Sequence, residues 1–411
     1  MNILIINHYA GSPKMGMEFR PYYLAKEWQE MGNKVRIVAA SFSHLRGEQP
    51  KIKKSYEKEK IDGIDYFWIK VPSYNKNNIL RFVNISSFVI KLLLLWNKIV
   101  LDFKPDIIIG SSTYPFDMFA VNFIAKRCCA RTVFEIHDLW PLSPVELGGM
   151  SPYHPFIVLT KYAEKYALKS ADRVISVLPF VKDYCVMKGI DAEKIFYVPN
   201  GLKIEEWDTK VNVPNPYKDV IEKLKVKKHF VIGYLGSHSI SDSLETFILA
   251  AKKIKNENCS FVLIGSGPEK NNLIKLRDEL ELENVHFLPY IQKPFVPVIL
   301  ELMDVLYIGW KKRDIYKYGI SPTKLFDYMM AGKPIICGIS AGNDIVKEAR
   351  CGLTVEPEDC SKLAQAILTL MNMSEMERCR MGKNGKLYVQ KYHNYGKLAA
   401  DFLGFVNKPD K

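Results

Sequence analysis

Phe230-Val231-Ile232-Gly233-Tyr234-Leu235-Gly236-Ser237-His238-Ser239 decides the fold. The apolar run reads as a buried strand, the small residues after it as a loop, and residues 242–255 as the helix that follows. The stretch is decisive because it begins the pattern a second time. The chain opens the same way, with the strand 3–7, the loop Gly11-Ser12-Pro13-Lys14-Met15-Gly16, and a helix over 20–31. That helix places Tyr23, Leu24, Glu27, Trp28 and Met31 at helical spacing, and Gly32 closes it as a C′ glycine. Further strands fall at Lys34–Ala40, 106–111, 132–136 and 173–177, then at 260–264, Val285–Leu288, 305–308 and 334–337. Strands alternating with helices make βαβ units and parallel sheets. The expected architecture is therefore α/β, two tandem Rossmann-like domains. Residues 1–200 form the first and 229–390 the second. Residues 201–228, with Pro214-Asn215-Pro216 and a lysine-rich helix, form the connection, and 391–411 a terminal helix and tail. Ligands of such sheets bind beyond the strands' carboxyl ends, so a cleft with the domains facing across it is the expected site.

Composition excludes several classes. The chain has 411 residues, 48% apolar and 25% charged, which rules out disordered, collagen-like and coiled-coil proteins. No apolar run reaches the roughly 18 residues of a membrane span. The first residues form a strand at once, with no basic region before it, so no secretory signal is expected. Eight cysteines are scattered without a C-x-x-C pair, which speaks against a zinc knuckle and for a reducing cytosol. The adjacent Cys128 and Cys129 are expected to pack inside a helix. The net charge is +13, and residues 1–131 hold 20 Lys and Arg against 11 Asp and Glu. Such an excess suits nucleic acid or an anionic membrane surface, or is a solvated basic face. No RNA-recognition, KH or zinc-finger signature supports nucleic acid.

Five segments carry chemistry. Gly11 to Gly16 follows the first strand, where backbone N–H groups can approach a phosphate, although the loop is neither G-x-G-x-x-G nor a Walker A sequence. His137 and Asp138, in Glu135-Ile136-His137-Asp138-Leu139-Trp140-Pro141, sit at a strand's C-terminal end. An imidazole there either meets a sugar hydroxyl or is structural. The Gly236 loop either completes an anion site or is an ordinary turn. Gly265-Ser266-Gly267-Pro268-Glu269 requires close backbone approach, to a ligand or to a neighbouring loop. The fifth segment runs from Tyr318-Gly319-Ile320-Ser321-Pro322-Thr323-Lys324 through Asp327 to Gly332-Lys333-Pro334. Pro322 and Thr323 open a helix whose free N–H groups, with Lys324, would face an anion. Asp327 lies one turn on; the two residues either serve a nucleotide or pair with each other.

The order and spacing of these segments resemble the family 4 retaining glycosyltransferases of the GT-B fold. More narrowly, the chain is similar to the bacterial O-antigen and capsule group that includes N-acetyl-L-fucosamine transferase-like enzymes. The resemblance rests on the early glycine loop with Glu18 and Arg20, on Ser111-Ser112-Thr113-Tyr114-Pro115, on His137 to Pro141, on Val198-Pro199-Asn200-Gly201 and on Gly319 to Pro334. It implies a C-terminal domain that binds a nucleotide-diphosphate sugar. Lys324 and the amides around Ser321 and Thr323 would hold the diphosphate, with Gly236 and Ser237 bordering it, and the Gly11 to Gly16 loop, with Gly16, would meet the phosphates or the acceptor. Asp327 would bind ribose, and Tyr290, Ile291, Gly265 and Gly267 would line the base. His137 would contact the transferred sugar, and His137, Asp138 and Lys324 are the expected catalytic groups. Glu18, Arg20, Tyr114 and Trp140 would serve the acceptor. The terminal helix would cross back to the first domain. Two departures stand out: Gly319 replaces the first acid of the family's paired motif, and Ser237, His238 and Ser239 replace a basic residue after Gly236, so Lys324 would carry most of the diphosphate charge.

With no Asp-x-Asp, no metal or other cofactor is expected. The donor expected from the family is a UDP-sugar, and the acceptor a polyprenyl-diphosphate-linked saccharide. The protein would be cytoplasmic and peripheral on the inner face of the membrane. That docking is suggested by residues 44–104, with 12 Lys and Arg against 6 Asp and Glu and apolar stretches at 79–83 and 88–96. Packing of that helix in the first domain is the alternative. A sugar-nucleotide 2-epimerase of the same fold, or a non-catalytic sugar-nucleotide binder, are the competing functions. No nucleic-acid partner is expected.

Overall fold

The computed structural model describes residues 1–16, 19–74, 79–208, 211–212 and 215–409. The chain divides into two compact units. The first comprises Met1–Asn200, Tyr318–Ser321 and Tyr395–Lys411, and the second Gly201–Lys317 and Pro322–Asn394.

The first unit holds an eight-stranded sheet of β1 (Asn2–Ile6), β2 (Lys34–Ala40), β3 (Tyr56–Ile61), β4 (Ile64–Ile69), β5 (Ile107–Gly110), β6 (Arg131–Ile136), β7 (Arg173–Ser176) and β8 (Ile195–Tyr197). Its order is β3-β4-β2-β1-β5-β6-β7-β8, and only the β3–β4 pair is antiparallel. Beyond the first residues of β1 and β2, the central strands β1, β2 and β5 are buried throughout, as parallel strands covered on both faces must be. Sequence order reverses between β1 and β5, which makes the loops after those strands the natural ligand crevice. The β3–β4 hairpin is absent from the sequence-based strands. Its first strand, YEKEKI, is a charged edge with no apolar run to reveal it. The Asp62-Gly63 turn, with both residues at positive φ, is the signal that was available.

The helix Tyr395–Val406 belongs to the first unit and packs on the helix Phe19–Glu30, as the family resemblance implies. Trp28 Nε1 donates to Ala399 O at 3.0 Å, the Trp28 and Phe402 rings meet at 5.1 Å, and Tyr23 stacks on Tyr395 at 5.0 Å. The arginine at 173 holds the tail through Lys408 O at 2.5 Å.

The second unit is built on β9 (Phe230–Leu235), β10 (Cys259–Ile264), β11 (Val285–Leu288), β12 (Val305–Gly309), β13 (Ile335–Gly338) and β14 (Gly352–Val355). All pairs are parallel, in the order β11-β10-β9-β12-β13-β14, with the switch between β9 and β12. The described residues of 201–228, expected as the interdomain connection, group with this unit. Their helix Tyr217–Val226 is pinned by Lys225, which pairs with Asp304, and that carboxylate also accepts from Val231 N at the head of β9.

All eight cysteines are free. Cys128 and Cys129 differ from the expected helix packing. The helix Asp117–Cys128 ends there, with Cys129 at φ 54° as its cap, so Cys129 is exposed and Cys128 half-buried.

Candidate active site

In the first unit, a charged network closes the carboxyl ends of β1, β5 and β6. Glu135, the penultimate residue of β6, is buried at its centre. Arg20 Nε donates to Glu135 Oε1 at 2.9 Å, and its other nitrogens donate to Pro199 O at 2.5 Å and Val198 O at 2.9 Å. Ser111 Oγ donates to Glu135 Oε2 at 2.6 Å, and Asn7 Nδ2 holds Ser111 O at 2.6 Å. His137 Nε2 lies 2.9 Å from Ser111 Oγ and 3.2 Å from Glu135 Oε2. With the serine proton directed at Glu135, His137 Nε2 carries the hydrogen that it presents to Ser111 Oγ and Glu135 Oε2. Burial alone would raise the Glu135 pKa. The charges of Arg20 and His137, with the hydrogen bonds from His137 and Ser111, outweigh it and hold the carboxyl well below its usual range. An imidazole oriented by a buried carboxylate at a sheet switch point can hold or move a proton.

The neighbours of His137 do other work than the sequence suggests. Asp138 is turned into its own loop, where its Oδ1 accepts from Ser143 Oγ and from Leu139 N at 2.9 Å. Burial raises its pKa. It positions the 138–143 turn and does not reach outward as a catalytic acid. Arg20 is 3% exposed and fully engaged, so it is a strut and not an acceptor contact. Tyr114 is likewise enclosed, with its hydroxyl 2.6 Å from His8 Nδ1. Trp140 is half-buried, its ring 6.3 Å from Tyr114 and 5.9 Å from Phe156. Glu18 lies outside the described residues. Gly16 is at φ +76°, a turn conformation natural to glycine.

In the second unit, Lys324 occupies the second position of the helix Thr323–Met330, with Pro322 as N-cap. Its ammonium is not free. It donates to Tyr234 Oη at 2.9 Å and pairs with buried Asp242. Asp242 closes a capping box with Ser239, accepting from Ser239 Oγ at 2.5 Å. Tyr234 Oη donates on to Ser237 O at 2.5 Å, and a Cβ on Gly236 would lie 3.4 Å from Lys324 Nζ. Lys324, the Gly236 loop and the exposed Thr323 are thus brought together beside β9. Asp327 does not pair with Lys324; Lys293 Nζ contacts its two oxygens at 2.5 and 2.6 Å. Tyr290 is exposed and Ile291 buried next to it.

The glycines at 265 and 267 resolve an alternative left open by the sequence. A Cβ on Gly265 would meet Gly236 O at 1.9 Å, and one on Gly267 would meet His238 O at 2.4 Å. Both are small because the neighbouring loop's backbone presses on them, which removes the need to invoke a ligand. Ser321 and Gly319 fall in the first unit: Ser321 Oγ accepts from Asn200 N at 2.9 Å, and Ser321 O from Asn200 Nδ2 at 2.7 Å. Gly319 has φ +95°, a conformation that an acid in its place would adopt only under strain.

Sequence reading missed Glu135 and Ser111 as parts of one site, and also Asp242 and Lys293. Asp242 was findable, because Ser239-x-x-Asp242 is a capping-box spacing before an apolar run. Lys293 is far from Asp327 in sequence and carries no such signal. Among the described residues, no group of three or more His, Cys, Asp or Glu is placed to hold a metal ion, and no helix is long and apolar enough to cross a membrane.

Residues 15–206 match the model of Glycosyltransferase Family 4, and residues 229–373 that of the Glycosyl transferases group 1. WcaI of Escherichia coli K12, by name a colanic acid biosynthesis glycosyl transferase, is 24% identical over 83% of this chain and 85% of its own. WbjE of Pseudomonas aeruginosa, by name a glycosyltransferase, is 22% identical over 94% of this chain and 95% of its own. Among solved structures, HepE of Anabaena, crystallised with UDP and glucose, superposes with a TM-score of 0.71 at 15% identity over 100% of both chains. Each half of the chain thus carries the signature of a glycosyltransferase, and the fold its two Rossmann-like domains make is GT-B.

Proposed function

We propose that this protein is a retaining glycosyltransferase that moves a sugar from a UDP-linked donor to a polyprenyl-diphosphate-linked saccharide during assembly of a bacterial surface polysaccharide. The N-acetyl-L-fucosamine transferase-like group is the narrower placement we favour. The observation that carries the reading is Lys324 at the open end of the helix Thr323–Met330, beside the Gly236 loop, in the domain matched by the group 1 model. A lysine and unsatisfied helix N–H groups stabilise a departing diphosphate electrostatically. On this reading Lys324 exchanges Asp242 for the donor phosphate as the donor binds. The glycosidic bond breaks through an oxocarbenium-like transition state, a donor phosphate oxygen takes the proton of the acceptor hydroxyl, and configuration is retained. His137, oriented by Glu135, contacts the transferred sugar. No metal enters this scheme.

Supporting the donor is the UDP in the HepE structure. Supporting the pathway is the name of WcaI. Supporting a cytoplasmic, peripheral membrane location is the helix Ile79–Leu94, whose Phe88 and Leu92 are buried while Ile79, Leu80, Phe82, Val83, Ile90 and Leu94 face solvent. An apolar ridge on a basic domain suits shallow interfacial docking. One face of the helix packs in the first unit, and the exposed apolar face is the one that docking would use.

The test offers a panel of UDP- and GDP-sugars to the protein with lipid extract from the source cells, and follows label and nucleotide release together. Label in the lipid fraction from one donor is the expected result. Conversion of the sugar with no lipid label would replace the transferase with an epimerase. Nucleotide binding with neither signal would leave a binder.

A further inference from the structure

A second polar cluster lies in the first unit, beyond the Glu135 network. Arg46 is 4% exposed. Its Nη2 donates to Ala40 O at 2.5 Å, while Nε and Nη1 have no hydrogen-bond partner. The guanidinium lies over the Trp68 ring at 5.1 Å, and the Gly11 loop closes on it: a Cβ on Gly11 would meet Arg46 Cδ at 3.0 Å. Beside it, His8 is fully buried, with Nδ1 on Tyr114 Oη and Nε2 unpartnered. Arg81 reaches inward from the helix Ile79–Leu94, with Nη2 3.3 Å from Tyr9 Oη and its guanidinium over Trp140 at 5.8 Å. His44 Nδ1 bonds Tyr74 Oη at 2.7 Å. Burial, and after it the charges of Arg46 and Arg81, depress the basicity of His8, so both guanidinium groups lie within electrostatic reach of its ring. Burial depresses the basicity of Arg46, the groups that act against this are the tyrosines Tyr66 and Tyr74, and among the described residues no carboxylate forms an ion pair with it.

A buried guanidinium without a carboxylate is costly, and proteins keep such a charge where an anion completes it. Two arginines, two uncharged imidazoles and tyrosine hydroxyls supply donors from several directions, which fits the many oxygens of a phosphate. We propose that this cluster is an anion subsite that grips the diphosphate of the acceptor, with Arg46 as its principal ligand. This inference rests on the glycosyltransferase reading, which places the donor diphosphate at Lys324 and leaves the acceptor's phosphates without a partner.

The first test is calorimetric titration of inorganic pyrophosphate into the full chain saturated with UDP. One site is expected. Arg46→Met weakens it by about tenfold or more, the loss of one charged hydrogen-bonding group, and leaves UDP affinity unchanged. Unliganded Arg46→Met melts no lower than wild type, because it removes an uncompensated charge, whereas a structural arginine would lower the melting temperature. Arg46→Lys, which keeps the charge, gives intermediate pyrophosphate affinity and stands in if the methionine variant does not fold. Unchanged pyrophosphate affinity in Arg46→Met, or no binding to the UDP-saturated wild type, overturns the subsite. Loss of UDP binding by the wild type would instead overturn the function reading, and pyrophosphate would then be titrated alone into wild type and Arg46→Met. A second arm separates a bound acceptor from adventitious phosphate. Arg46→Met raises the KM of a lipid-diphosphate acceptor and not that of an alkyl glycoside acceptor without phosphate; an equal rise in both also overturns the proposal.

Discussion

Lys324 is the residue on which the donor site turns, and its resting partner matters as much as its charge. Asp242 is buried and its remaining bonds go to Ser239. Removing the lysine alone leaves an uncompensated buried carboxylate, which typically costs about 3–5 kcal/mol. A simple Lys324→Met variant therefore mixes two effects. The pair Lys324→Met with Asp242→Asn separates them. The double variant should recover the melting temperature lost by the single one, yet turnover should stay lower by ~10²–10³-fold, as for the loss of one transition-state donor. Recovered turnover in the double variant would make the lysine structural. The sequence placed Lys324 at a helix start correctly but could not reveal its partner, because Asp242 lies 82 positions away and pairing at that distance is written only in the fold. Arg20 illustrates the opposite failure. It belongs to the segments that suggest an acceptor, yet three buried acceptors consume its guanidinium.

Among elements, the loops after β9 and β10 act as one unit. His238 N donates to Ser266 O at 2.9 Å, and Glu269 N donates to His238 O at 3.0 Å. Gly265 and Gly267 admit this contact, and the His238 ring is sealed beneath it with both nitrogens unpartnered. Burial lowers the His238 pKa to about 4, helped by the charge of Lys270. The unfolded chain binds a proton at the ordinary value near 6.5, so the folded state resists protonation. Its contribution to stability is full above that value and is lost as pH falls from about 6.5 toward 4. The second unit should therefore lose amide protection in β9 and β10 between pH 7 and 5, and His238→Gln should flatten that dependence. An identical pH profile in the variant would move the cause elsewhere. Strand–loop–helix grammar made these loops legible, since β-branched runs and glycines recur at each. Edge elements were not: β3 is charged, β8 and β14 are short, and none has the apolar run that betrays a buried strand.

At the scale of the whole molecule, the chain builds each unit from separated pieces. The first unit takes back four residues at Tyr318–Ser321 and then the last segment from Tyr395. The small piece explains Gly319, which the family pattern alone left as a missing acid. Phe180 N donates to Tyr318 O at 3.1 Å, and Asn200 holds Ser321 on the other side, so the backbone must turn between the two anchors at a positive φ. The last segment is not a tail but core. Phe402 is fully buried against Trp28, and Tyr395, Leu398 and Ala399 join the same cluster. The first unit therefore cannot complete its core until the final residues of the chain arrive. Phe402→Ala should cost about 3–5 kcal/mol, the usual range for deleting a buried aromatic. Hydrogen exchange should show the loss in the amides of β1 and of the helix Phe19–Glu30, while β9 and β10 keep their protection. Equal loss in both units would mean that they unfold as one cooperative body; no loss in either would mean that the terminal helix adds little to the core it lies on.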